Sequence, residues 1–94
     1  MIKEMLNDIL RIYNQHDISL RICDVYLDPI GILCELEAQC ESDITNVHLY
    51  INELQEKLNT KVTLKEPLKY PTIYIYVDYS ENLQNAHNNF HKSI

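Results

Sequence analysis

The hydrophobic period changes partway through the run from Ile44 to Val77, ITNVHLYINELQEKLNTKVTLKEPLKYPTIYIYV, and this change limits the fold more than any other feature of the chain. Ile44, Val47, Ile51, Leu54 and Leu58 recur at three- and four-residue intervals, which is the spacing of one apolar helix face, with Ser42 or Asp43 as the expected cap. Asn59 tolerates the left-handed conformation in which helices stop. Residues 61–66 and 72–77 then read as strands, joined by a connection that Pro67 and Pro71 should make rigid because neither can donate to a ladder. Helix, strand, strand in that order belongs to a small α+β layer, with little room for a catalytic pocket.

The first half repeats the order. Ile2, Met5, Leu6, Ile9, Ile12 and Tyr13 form a helical stripe, so residues 2–15 are expected to be an amphipathic helix. Residues 18–27 read as a strand with a phase break, Leu20 and Ile22 against Val25 and Leu27, of the kind a bulge produces. Asp28-Pro29-Ile30-Gly31 is a turn signal, and residues 32–39 alternate cleanly. The expected architecture is a two-layer α-β-β-α-β-β unit over residues 1–78, two helices on one face of a four-stranded sheet. The other face should carry Glu35, Glu37, Lys61, Thr63, Lys65, Tyr74 and Tyr76. Residues 79–94 read as a polar tail in which Leu83, Ala86, Phe90 and Ile94 could form one stripe of a short docked helix.

Ninety-four residues suit one domain and one helix-on-sheet core. The net charge of −6 argues against wrapping a nucleic-acid duplex. Residues 1–56 hold eleven acids against Lys3, Arg11 and Arg21, a balance of −8, whereas residues 57–94 balance at +2. The acidic half could complement a basic partner or simply keep the chain in solution. Three cysteines, an odd count with no framework spacing, point to reduced thiols. No secretory leader or apolar run long enough to span a membrane is recognisable, so a cytoplasmic protein without membrane contact is expected.

Enzymatic chemistry has little to stand on, since His16, His48, His87 and His91 fall in no Ser/His/Asp or Cys/His pattern. Zinc is the cofactor to weigh. His87 and His91 are spaced i, i+4, as ligands on one helix face would be, with Asp78, Glu81 or a cysteine as further donors; His16 with Cys40 is a second pairing. Lys61 and Lys65 beside Tyr74 and Tyr76 have the basic and aromatic character of a single-strand platform. They equally suit an edge strand that discourages aggregation. Protein binding draws on the most features: Tyr74 and Tyr76 as rigid anchors, and Glu35, Glu37, Glu41, Asp43, Glu53 and Glu56 facing a basic surface. A second copy of the chain, forming a homodimer, is a further candidate partner.

From Leu6 to Val77 the chain resembles the alpha domain of FtsK/SpoIIIE-type DNA translocases. The matching features are the helix–strand–turn–strand order, the helix start Ile44-Thr45-Asn46, then Leu54, Leu58, Glu66-Pro67, Pro71 and a closing apolar strand. That resemblance implies an α+β module that contacts DNA or docks a translocase. The family's glycine-rich linker is here Leu68-Lys69-Tyr70, and with one glycine in total the chain cannot build a phosphate-cradling loop. In size, charge and composition the chain also looks like small phage anti-CRISPR proteins. That likeness implies a non-enzymatic inhibitor or modulator acting in the cytoplasm of a bacterial host on a nucleic-acid-handling complex such as Cas9.

Overall fold

A computed structural model describes residues 2–79. Helix α1 spans Ile2–Gln15, strand β1 Leu20–Leu27 and strand β2 Gly31–Ala38. Helix α2 (Glu41–Asn46), a 3-10 segment (Val47–Tyr50) and helix α3 (Ile51–Leu58) follow, then β3 (Lys61–Leu64) and β4 (Thr72–Asp78). The four strands form one antiparallel sheet in the order β1-β2-β4-β3, so β1 and β3 are its edges. The expected α+β architecture, with helices on one face of a four-stranded sheet, is the one observed.

Alternation decides which side chains the helices cover. Ile32, Cys34, Leu36 and Ala38 of β2 are buried, as are Val62 of β3 and Ile73, Ile75 and Val77 of β4. Met5, Ile9, Ile12 and Tyr13 of α1, with Val47 and Leu54, close over them. The phase break in β1 is a register shift between Ile22, which faces Leu36, and Asp24, which faces Glu35. Cys23 is the extra residue, and its insertion lets Ile22 and Val25 both turn inward.

The hairpin between β1 and β2 closes as its residues suggest. The Asp28 amide donates to the Gly31 carbonyl at 3.1 Å, and its carboxylate accepts from the Ile30 amide at 3.0 Å, an Asx turn around Pro29. Gly31 is required for space. A Cβ there would meet the Tyr76 phenol oxygen and lie 2.7 Å from the Val77 carbonyl oxygen. Gly31→Ala is therefore expected to lose about 1–3 kcal/mol in urea unfolding, as overpacked sites do, with displacement of the Tyr76 ring.

The second helix differs from expectation in two ways. It starts earlier, with Cys40 in the N-cap position making no side-chain cap bond, and Asp43 is buried with its carboxylate accepting the Cys40 thiol at 3.2 Å. Ser42 and Asp43 are thus inside the helix, and Asp43 is withdrawn from any partner. It is also interrupted: the Tyr13 phenol donates to the Val47 carbonyl at 2.8 Å, at the start of the 3-10 turn. A side chain entering the helical ladder from outside is a recognised cause of such breaks. Asn59 does end α3, in the left-handed conformation at φ 53°.

Residues 65–71 continue the sheet only loosely, with the Lys65 amide on the Tyr74 carbonyl and a bridge between Lys69 and Thr72. Strand β3 therefore stops at Leu64 rather than residue 66. The Glu66-Pro67 and Tyr70-Pro71 peptides are both cis, and the Pro71 carbonyl accepts the Ala38 amide at 2.8 Å. Tyr79, expected to begin the tail, belongs to the folded unit: its amide donates to Ile30 and its phenol lies 3.2 Å from the Met5 sulfur. The remainder of the expected tail lies outside the described residues.

Buried Cys34 gives the fold an alkaline limit. Burial pushes its thiol up to about 11 from an ordinary 9.0. The folded state then holds a proton that the unfolded chain releases above pH 9, so stability is full below pH 9 and falls as pH rises toward 11. The loss is on the order of 2–3 kcal/mol. Urea unfolding at pH 8 and pH 10.5 should show Cys34→Ala losing less than the wild type between the two.

Candidate functional site

Cross-strand register places the outward side chains in rows, because facing residues on neighbouring strands project to the same side. One row runs Arg21, Glu37, Thr72; the next runs Asp24, Glu35, Tyr74; the third runs Tyr26, Leu33, Tyr76, Thr63. Among the described residues no helix covers this face, and Tyr26 and Tyr74 remain 47% and 37% exposed. Three phenols thus stand on β1 and β4 around the central strand β2, on a surface that a covered sheet would have filled with aliphatic residues.

Carboxylates hold these rings. Glu35 Oε1 accepts the Tyr74 hydroxyl at 3.3 Å and the Tyr26 hydroxyl at 3.4 Å. Both Asp28 oxygens accept the Tyr76 hydroxyl at 3.0 Å. The Arg21 guanidinium binds Glu37 at 3.1 Å, with the Cys23 thiol 3.9 Å from the same carboxylate. The local field is negative: the charge of Glu35 raises the Tyr74 pKa, and Asp24 followed by Glu35 raises that of Tyr26. Tyr76 is raised chiefly by desolvation, with Asp28 adding to it. Tyr26, Leu33, Glu35, Lys65 and Tyr74 together line a hollow of about 380 Å³ on this face.

Of the acids expected to act together, Glu35 and Glu37 share this face with Tyr74 and Tyr76, but Glu53 and Glu56 do not. They sit on α3, in the other layer, and line a cleft of about 410 Å³ with Asp8, Arg11, Gln15 and Lys57. The wet side of a helix that covers one sheet face points away from the other face, so the six residues split into two surfaces. Lys61 on edge strand β3 and Lys65 just past its end are both exposed, with Lys61 facing Asp78. Tyr26, Asp24 and Asp28 were not anticipated as site residues. The phase break in β1 was the signal, since a bulge before Asp24 turns Tyr26 outward.

The metal pairing of His16 with Cys40 is not formed. The His16 ring stacks on Tyr50 with centroids 3.8 Å apart and its Nε2 is 2.9 Å from Glu53, while the Cys40 thiol is given to Asp43. Among the described residues no three His, Cys, Asp or Glu side chains group as a metal would require. His87 and His91 lie outside the described residues, as does Glu81. No helix among the described residues is long and apolar enough to cross a membrane.

No protein-family model matches the chain, and no curated protein matches it in sequence. The functional reading therefore rests on the geometry of the outer sheet face.

Proposed function

We propose that the chain is a non-enzymatic binding module whose outer sheet face docks on a basic surface of a nucleic-acid-handling protein complex, inhibiting or modulating it. A guide-loaded Cas9 is the first complex to test. The observation that carries this reading is the combination on one rigid face of three phenols and the carboxylates Glu35, Glu37 and Asp28. Aromatic rings supply contact area at low entropic cost, and clustered carboxylates match the positive surfaces that such complexes use for phosphate.

Placement on β-strands supports a binding role in a second way, because main-chain hydrogen bonds hold the rings in register before a partner arrives. Bare DNA is a poor fit to this surface. Glu35 stands in the middle of the tyrosines, and the two lysines of the face lie at its β3 edge. Retention of the complex at micromolar concentration, weakened by salt and accompanied by no shift of a DNA duplex, is the expected result. A salt-sensitive gel shift of bare DNA, abolished by Lys61→Glu with Lys65→Glu, would instead establish the DNA-contacting, alpha-domain-like reading.

A further inference from the structure

We infer that the hollow between Tyr26 and Tyr74, floored by Leu33 and Glu35, is a receptor for one arginine side chain of a protein partner. The inference rests on the docking role of this face and specifies its central contact.

Glu35 and Glu37 occupy equivalent positions two residues apart on β2, yet they are partnered differently. Glu37 has the guanidinium of Arg21 across the strand pair at 3.1 Å. The residue facing Glu35 from β1 is a second carboxylate, Asp24, an arrangement that disfavours the free protein. The partners of Glu35 are two phenol hydroxyls, both on Oε1, and among the described residues no Lys or Arg nitrogen is ion-paired with it. Charge complementarity thus calls for a cation from outside, in the place that Arg21 fills for Glu37.

The walls select the kind of cation. Two exposed tyrosine rings flank the carboxylate, and the hollow of about 380 Å³ has room for a long side chain. A guanidinium is flat, stacks on aromatic faces and carries donors in a fork that fits a carboxylate. An ammonium stacks less well and is more strongly hydrated. Leu33 gives the arginine methylenes an apolar floor. Lys65, just past the end of the edge strand, also lines the hollow and makes no ion pair with Glu35.

The test is an NMR titration of isotope-labelled chain with acetyl-arginine-methylamide, with the neutral isostere acetyl-citrulline-methylamide and the lysine analogue as comparators. Saturable shifts confined to Tyr26, Leu33, Glu35 and Tyr74, absent with citrulline and at least several-fold weaker with lysine, are expected. Glu35→Gln should abolish the response while its unfolding midpoint stays at or above the wild-type value, because the like-charge pair is relieved. Lys65→Ala should leave the response intact or strengthen it. Equal response to arginine and citrulline, equal response to arginine and lysine, persistence in Glu35→Gln, or loss in Lys65→Ala would each overturn the assignment. Adding the protein complex to the same sample separates the two readings: a footprint on the outer face without an arginine response retires the slot alone, and the absence of both retires the docking role too.

Discussion

Replacing Tyr13 with alanine is expected to remove about 3–5 kcal/mol of stability, and with phenylalanine about 1–3 kcal/mol. The ring is fully buried and meets Tyr50 edge-on, with centroids 6.2 Å apart. Its hydroxyl ties α1 to the 3-10 turn 34 residues away through the Val47 carbonyl. Alanine leaves a cavity among side chains that cannot all follow it; phenylalanine keeps the packing and strands a buried acceptor. Domains of this kind have only about 5–15 kcal/mol in total, so Tyr13→Ala should forfeit a large fraction of the stability. Urea unfolding followed by circular dichroism measures both. Tyr13→Phe matching the wild type would show that the carbonyl finds another donor and that the helix break has a different cause.

The second large effect is on binding. Glu35→Lys with Glu37→Lys reverses both carboxylates of the central strand, and the pair is expected to weaken retention of a basic protein complex by about 2–5 kcal/mol, thirtyfold or more. Each substitution acts differently. Lysine at position 37 would face Arg21, a like-charge pair that itself disfavours the sheet slightly. Lysine at position 35 would put a cation between Tyr26 and Tyr74 and fill the hollow from within. Both side chains are partly exposed, so the variant should fold, and its unfolding curve provides the control. Glu53→Lys with Glu56→Lys, on the helical layer, changes net charge by the same amount and should change retention far less. Equal losses from the two double variants would mean that overall charge, rather than this face, drives association.

Most of the fold was legible because its elements carry distinct periods. The stripe from Ile2 to Tyr13 and the alternation of Ile32, Cys34, Leu36 and Ala38 leave few alternatives, and the broken phase around Ile22 located the bulge. The helix break at Val47–Tyr50 was not legible, because its partner Tyr13 is brought near only by the finished tertiary structure. The cap at Cys40 was missed for a related reason: Asp43 is a good cap by type, but the fold uses its carboxylate for the Cys40 thiol. The site was legible in part. Parity alone put Glu35, Glu37, Tyr74 and Tyr76 outside, and the two-layer arrangement already implied that Glu53 and Glu56 point the other way. Tyr26 follows from the same bulge, whereas the two phenols on Glu35 and the acid across from it emerge only in the folded sheet.

Methyl-selective NMR of the chain bound to the protein complex it retains tests the central claim most directly. Leu33 carries aliphatic methyls at the centre of the outer face, and Leu49, 58% exposed in the 3-10 turn, reports on the helical side. Shift or broadening of the Leu33 methyls with Leu49 unchanged is the predicted result. Perturbation of Leu49 while Leu33 stays as in the free protein would contradict the account.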